Sequence, residues 1–540
     1  MRFNFDEMKN RCVVIYIQLI LLVILYSCAK TGRPTGGPED KDPPVMLKSS
    51  PLNMTTNFSS KEIKIQFDEY IKLKDVNTQL IVSPPLKYAP IISPLGTPSK
   101  YIKIKILDTL KENTTYTFNF GQSIIDNTEG NILNNFKYIL STGDVIDSLS
   151  VSGTIKDAFN QEADKNVSIM MYEMNGEKND SIIYKEKPFY VANSLDTVAW
   201  EITNIKAGKY LLVALNDASK NYIFDPKQDK IGFHTSVIEV PTDSTYELNL
   251  FEEVLSFKLV RPSVVSKSHI IFGYEGIGDS IKVRPLFNEP DFKSVSVFEK
   301  DKDTLNYWYT GIKKDSLSFL VENRKQLDTV TLRLISKESD SLNITASTRG
   351  ILPLRDQYSL ISNIPLVSLD TSKISFMSRD SMKVTYSAEI SNTYDKILFD
   401  FEKKYKEQYR MQILPEGIKD FLGNSNDTLN FSLGTKQPSD YGNVYFTIQN
   451  VKTYPIIVDL MDEKFKIIER KYVKKAEELP FLKLTPAKYK MRVIYDKNDN
   501  GIWDTGNYLL NIQPEKVIYF PGEINVRANW DPKEIFILKE

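Results

Sequence analysis

Short alternations of apolar and polar residues recur along almost the whole chain. Ile63-Lys-Ile-Gln-Phe-Asp-Glu-Tyr-Ile71, Tyr101-Ile-Lys-Ile-Lys-Ile106 and Tyr116-Thr-Phe-Asn-Phe120 repeat at period two, which sets alternate side chains on one buried sheet face. Strand-like segments recur at 151–155, 202–216, 256–260, 316–321, 329–335, 382–386, 409–413 and 429–431, separated by turn residues. They predict antiparallel strands joined by hairpins. Helical periodicity is almost absent, and only Tyr472 to Leu479 reads as a short helical turn. The chain is therefore expected to be all-β, a tandem series of β-sandwiches.

At 540 residues the chain exceeds a single core, and roughly 100–200 residues per domain suggests three to five. The turn spacing divides it into regions 45–143, 149–251, 254–348, 350–435 and 441–540. In the first, Pro43-Pro44-Val45, Ser50-Pro51-Leu52-Asn53, Ile65-Gln-Phe-Asp-Glu69, Tyr116-Thr-Phe118, Asp126 to Asn131 and Phe136 to Gly143 resemble the bacterial Ig-like domain of S-layer-type proteins. Region 350–435 is similar to the closing half of that domain, through Tyr409 to Ile413, Ile418-Lys-Asp420, Gly423-Asn424 and Gly434. In region 149–251, Gly208-Lys-Tyr210 after a short strand resembles the transthyretin-like sandwich of carboxypeptidase regulatory domains. Region 441–540 repeats it. At a constant offset of 279, Asp217, Asn221, Phe224 and Asp225 fall on Asp496, Asn500, Trp503 and Asp504. Region 254–348 reads as a further sandwich without a family.

Charge and cysteine content narrow the class. With 69 basic and 70 acidic residues the formal charge is −1, so no global field points to nucleic acid or to an anionic membrane. The two cysteines are Cys12 and Cys28. Both lie in the first 28 residues, so the folded regions hold no disulfide and depend on apolar burial. The 28 Phe and 29 Tyr can supply it.

The amino terminus departs from the alternating pattern. Arg2, Lys9 and Arg11 precede thirteen residues, Val13 to Leu25, interrupted only by Gln18, and then Tyr26-Ser27-Cys28. The run is shorter than the roughly 20 residues of a transmembrane helix and resembles a bacterial lipoprotein signal, residues 1–27, closing in a lipobox. Tyr26 is bulkier than the usual residue there. The resemblance implies cleavage before Cys28 and its modification by diacylglycerol and an acyl chain such as palmitate. A non-acidic Ala29 fits delivery to the outer membrane, with the leaflet open. Residues 28–44, rich in Gly and Pro, read as a tether.

Chemistry is sparse. Asp496, Asn498 and Asn500 followed by Gly501, with Asp504 at the ninth position, match the first half of a calcium loop. Its twelfth position holds Asn507 in place of a bidentate Glu, so the stretch reads first as a polar hairpin loop and second as a calcium site. Calcium is the one cofactor the motifs suggest. Eleven Asp-Ser/Thr-aliphatic triplets, among them Asp108-Thr-Leu110, Asp279-Ser-Ile281 and Asp427-Thr-Leu429, resemble a periplasmic O-glycosylation acceptor and read equally as turn ends. Tyr307-Trp308-Tyr309 offers aromatic stacking on a ligand or ordinary packing. The histidines, His234 and His269, stand in different regions, and no nucleophile elbow, zinc-helix motif or phosphate loop occurs. No catalytic residue is expected. The expectation is a non-catalytic, lipid-anchored envelope protein, a rod of sandwiches contacting an outer-membrane protein or glycan. The alternative is a surface hydrolase with accessory sandwiches, through an acidic pair.

Overall fold

The computed structural model describes residues 40–174, 176, 180–299, 302–334 and 338–539. The signal-like segment and Cys28 lie outside them. Two compact units are present, one of the described residues up to Ile81 with Leu86–Val145, the other of Val82–Pro85 with the chain from Ile146. Both are built of strands. Among the described residues, helix amounts to the four-residue turn Val76–Gln79 and three 3₁₀ turns. No described helix is long and apolar enough to cross a membrane.

In the smaller unit the alternation at 63–71 becomes the strand Glu62–Leu73. Met46–Ser50 and Ser99–Lys105 flank it, with Ile63 opposite Ile104 and Ile65 opposite Ile102. That register stacks isoleucines on one face, all without exposure, each contributing about 1.5–3 kcal/mol by burial. A second sheet pairs Thr115–Asn119 with Lys137–Ser141. Phe136 meets Phe67 at 5.9 Å and Phe120 at 6.0 Å, joining the two layers. This is an Ig-like β-sandwich.

The larger unit contains four successive apolar cores, spanning 149–250, 257–334, 342–433 and 444–538. The first and last share one topology. In the first, Tyr190–Asn193, Ser168–Glu173, Gly208–Asn216 and Lys230–Phe233 follow in order across one sheet, and Ala199–Ile205, Leu149–Asp157 and Thr245–Leu250 across the other. In the last, Ile467–Val473, Ile456–Asp462, Ala487–Tyr495 and Val517–Tyr519 repeat the one sheet, and Glu478–Leu484, Gly442–Gln449 and Lys533–Ile537 the other. Even the parallel pairing recurs, Leu248 opposite Ile155 and Ile535 opposite Thr447.

Two expectations are corrected. Tyr472 to Leu479 is not helical. Tyr472 and Val473 close the strand Ile467–Val473 and Glu478 opens Glu478–Leu484, while the charges of the stretch, Lys474, Lys475 and Glu477, lie in the exposed turn between the two strands. Ile344–Ala346 belongs to the core after it, not to region 254–348, since Ile344 pairs with Ser362 of Tyr358–Ser362. For Tyr307, Trp308 and Tyr309 the packing alternative holds, since all three are buried. Their strand, Thr304–Thr310, is interior to its sheet; the tyrosines enter the core, and Trp308, pointing the other way, is covered by His269 at 3.9 Å in a parallel stack.

Candidate functional site

The calcium-like residues stand on the long loop between Ala487–Tyr495 and Val517–Tyr519. The structure brings all four together. Asp496, 1% exposed, accepts the backbone N–H of Asn500 at 3.1 Å and of Gly501 at 2.7 Å. The turn needs positive φ at Asp499 (60°) and Gly501 (78°), which explains the glycine. Asp504 Oδ2 accepts the side-chain amides of Asn498 and Asn500, each at 2.7 Å. The amide oxygens in turn accept backbone N–H groups of Asn500 and Ile502.

One residue of this loop is missed by sequence spacing. Glu515, 5% exposed, accepts from Lys497 N at 2.6 Å and Asp504 N at 3.1 Å. It follows Asp496 by nineteen positions, and only the strand that starts after it returns it to the loop. Burial pushes its carboxyl up, with Asp504 and Asp496 adding to the rise and the two N–H groups opposing it. Asn507, at the position where a calcium loop wants Glu, instead forms a tight bridge with Ile512. The donors are of the oxygen type that calcium takes. Among the described residues, however, no three acidic, histidine or cysteine side chains converge as a metal centre.

The equivalent loop of the first-mentioned repeat has the same frame. Asp217 accepts from Tyr222 N at 2.6 Å, as Asp496 does from Gly501, five residues on. Asp229 bridges Ala218 N and Asp225 N at 3.0 and 2.8 Å, as Glu515 bridges Lys497 and Asp504. Burial raises the Asp229 carboxyl, opposed by those N–H groups and reinforced by Asp217 and Asp225. The two acids hold the loop to its strand in both copies, so this frame does not depend on the donors that distinguish them.

The Asp496 loop also docks. Trp503 lies 4.5 Å from Phe159 of region 149–251, with its indole N–H donating to Glu515 O at 3.0 Å. The Arg492 guanidinium covers Phe159 at 4.1 Å, and Tyr519 donates to the Phe159 carbonyl at 2.8 Å. Thr505 donates to Glu252 O at 2.6 Å, Glu253 accepts from Tyr508 N at 2.5 Å, and Gln513 donates to Phe233 O at 2.9 Å. Tyr508 itself is buried, 5.2 Å from Phe233 and 6.3 Å from Tyr184. A side chain at Gly506 would meet the Phe251 ring at 2.5 Å, so only glycine allows this approach. Arg492 is held by Asp459, which has no exposure and also takes Arg470 through two bonds of 2.7 and 3.0 Å. The last sandwich therefore folds back on the sandwich of region 149–251. The regions of this unit do not form the end-to-end rod expected from their order.

The remaining candidates are placed as follows. His269 is 8% exposed and bonds Asn306 at 2.8 Å through Nε2, while His234 bonds the Ser236 carbonyl at 2.8 Å in a turn. Hydroxyl residues of nine of the eleven Asp-Ser/Thr-aliphatic triplets are exposed, Ser181 and Thr304 being half-buried.

No curated protein matches the chain. Solved structures similar to it include the major pilin subunit BcpA of Bacillus cereus, at 10% identity over 72% of this chain and 98% of that one, TM-score 0.15. The S-layer protein SbsC aligns at 11% identity over 89% of this chain and 67% of that one, TM-score 0.15. Its domains 4–9 align at 10% identity over 84% and 66%, TM-score 0.18. Alignments this weak carry no argument about function. The family match is local and rests on the sandwich already described: residues 40–142 match the bacterial Ig-like domain family.

Proposed function

We propose that the chain is a non-catalytic scaffold of a bacterial cell envelope, held at the outer membrane by acyl chains on Cys28. The observation that carries the scaffold reading is the docking of the last sandwich on that of region 149–251 through Trp503, Arg492 and Tyr508. A chain that locks two repeats together across more than 250 residues gains a fixed surface on which a partner can be positioned. The Ig-like match at 40–142 and the lipobox-like Leu25-Tyr26-Ser27-Cys28 support the envelope setting. Two acyl chains give stable anchoring where one holds marginally. His269 is committed to a ring stack and His234 to a turn, which takes both histidines from acid–base work. The partner in this reading is an outer-membrane protein, in one version a β-barrel machine, or a glycan.

Mass spectrometry of the amino-terminal peptide tests the anchor: a lipidated Cys28 as the first residue is expected, and an uncleaved, unmodified terminus overturns it. Crosslinked pull-down from intact envelopes tests the scaffold, with co-purification of a barrel protein expected. Turnover of polysaccharide or ester substrates would favour the hydrolase instead. For the Asp496 loop, docking is the proposed role and a calcium ion on Asp496, Asn498, Asn500 and Asp504 the competing one. Melting temperature is expected to be the same in chelator and in millimolar calcium; a calcium-dependent rise would give the loop to the metal.

A further inference from the structure

At one end of the last sandwich, beside the loop that carries its docking residues, a cavity of about 190 Å³ opens. Lys452, Lys497, Lys516 and Lys539 line it, and among the described residues no carboxylate does. In a chain with 69 basic and 70 acidic residues, four lysines converging with no acid among the described lining residues is a local reversal of the average. Glu515 is the nearest acid in sequence to Lys516, and both its oxygens are taken up by the backbone N–H groups of Lys497 and Asp504. Among the described residues, Lys497, Lys516 and Lys539 form no ion pair. Their charges are available to a ligand.

The walls are set by the backbone. Tyr495 N donates to Lys516 O at 3.0 Å, Leu538 N to Gln449 O at 3.0 Å, and the Asn450 amide to Leu538 O at 2.7 Å. These bonds hold the ends of four strands, so the lysine stems start from fixed positions and a ligand meets a formed site. Ile518, Leu538 and the Tyr495 ring contribute apolar surface, while Thr453 adds a hydroxyl. The volume is below the roughly 300–1,000 Å³ of sites that enclose a whole drug-sized ligand. It suits a compact charged group with a few attached carbons.

We propose that this cavity binds a phosphate ester, with lysines neutralising the phosphate and the apolar wall receiving the adjoining carbons. Ammonium groups act on phosphate as point charges arranged around it, and a phosphate monoester carries more negative charge for them to neutralise than a carboxylate does. The ester could be a soluble phosphate or a phospholipid headgroup. The inference does not depend on Cys28 being acylated or on any partner.

The test is calorimetric titration of the full-length chain in neutral detergent. The probes are glycerol 3-phosphate, mixed micelles with or without phosphatidylglycerol, and glucuronate as a carboxylate of similar size. A double variant, Lys516→Ser with Lys539→Ser, removes two cavity charges. Lys464→Ser with Lys475→Ser removes the same charge from exposed positions of the same sandwich outside the cavity. Expected is binding of a phosphate probe that weakens on the order of tenfold in the cavity variant and less than about twofold in the control, since only near charges escape salt screening. Lys516→Gln alone, with an intermediate loss, guards against a misfolded double variant, and equal melting temperatures show that folding is intact. Response to the free ester names a soluble ligand; response to phosphatidylglycerol micelles alone names a headgroup. The proposal is overturned if neither phosphate source binds, if both double variants lose equally, or if glucuronate binds as tightly as phosphate.

Discussion

At the scale of single residues, the fold keeps a few polar groups in apolar surroundings, and their environments set testable costs. His269 is stacked on Trp308 and bonded to Asn306. Burial lowers its pKa below 6.5, partly offset by the Asn306 bond and by the negative charges of Asp340 and Glu299. The unfolded chain therefore takes up the proton at higher pH than the folded one. The stability that neutral His269 contributes is complete above about pH 6.5 and is lost as pH falls through the folded pKa. Between about pH 8 and 5 the wild type should lose more melting temperature than His269→Gln, which keeps a donor for Asn306 but does not titrate; equal losses would refute this. Arg492 is the second case. Its removal leaves the fully buried Asp459 with Arg470 alone. Arg492→Met should cost about 3 kcal/mol, because an under-compensated buried charge is the expensive outcome. Adding Asp459→Leu should not deepen the loss, since the partly exposed Arg470 can turn to water. Denaturant unfolding of the single and double variants decides it.

At the scale of elements, regions 45–143 and 350–435 carry the same corner at an offset of 293. The Tyr116 hydroxyl accepts Lys111 N–H at 2.9 Å and that of Tyr409 accepts Lys404 N–H at 2.7 Å. Thr142 and Thr435 close each corner by donating to the carbonyls of those lysines at 2.6 and 2.5 Å. This is the tyrosine corner expected of the Ig architecture. Tyr116→Phe and Tyr409→Phe should each cost about 1–2 kcal/mol by stranding a backbone donor, whereas Tyr386→Phe, whose hydroxyl bonds are 3.3 and 3.4 Å, should cost less than about 0.5 kcal/mol. Amide exchange at Lys111 and Lys404 reports the loss directly. How far each element could be read from sequence follows from the same geometry. Period-two alternation in 63–71 and 101–106 marks strands because each has one wet face. Burial at 307–309 escapes that rule, because a strand covered on both faces has no polar partner to alternate with. The offset of 279 is visible because turn acids and strand aromatics recur as identical or like residues. Glu515 is invisible, because its place in the loop is set by where the next strand begins rather than by its distance from Asp496.

At the scale of the larger unit, the repeats are not interchangeable beads. Sequence cannot show the docking of the last sandwich on that of region 149–251, since the groups that meet are separated by 253 to 360 positions and each alone looks like surface aromatic or loop. Phe159 is the centre of the contact. It takes the Trp503 ring and the Arg492 guanidinium, and its carbonyl takes Tyr519. If this contact holds the two sandwiches together, the effects of Phe159→Ala and Trp503→Ala are not additive: the double variant should cost less than the sum of the singles by about 1 kcal/mol, the coupling of an aromatic pair. The 149–250 and 444–538 cores would then melt together in the wild type and separately in Trp503→Ala. Amide exchange in Ser168–Glu173 and Ile456–Asp462 follows each core through its own central strand. Strict additivity, with both strands exchanging in Trp503→Ala as they do in the wild type, would mean that the two repeats touch without stabilising one another, and the scaffold would lose the fixed surface on which its proposed role depends.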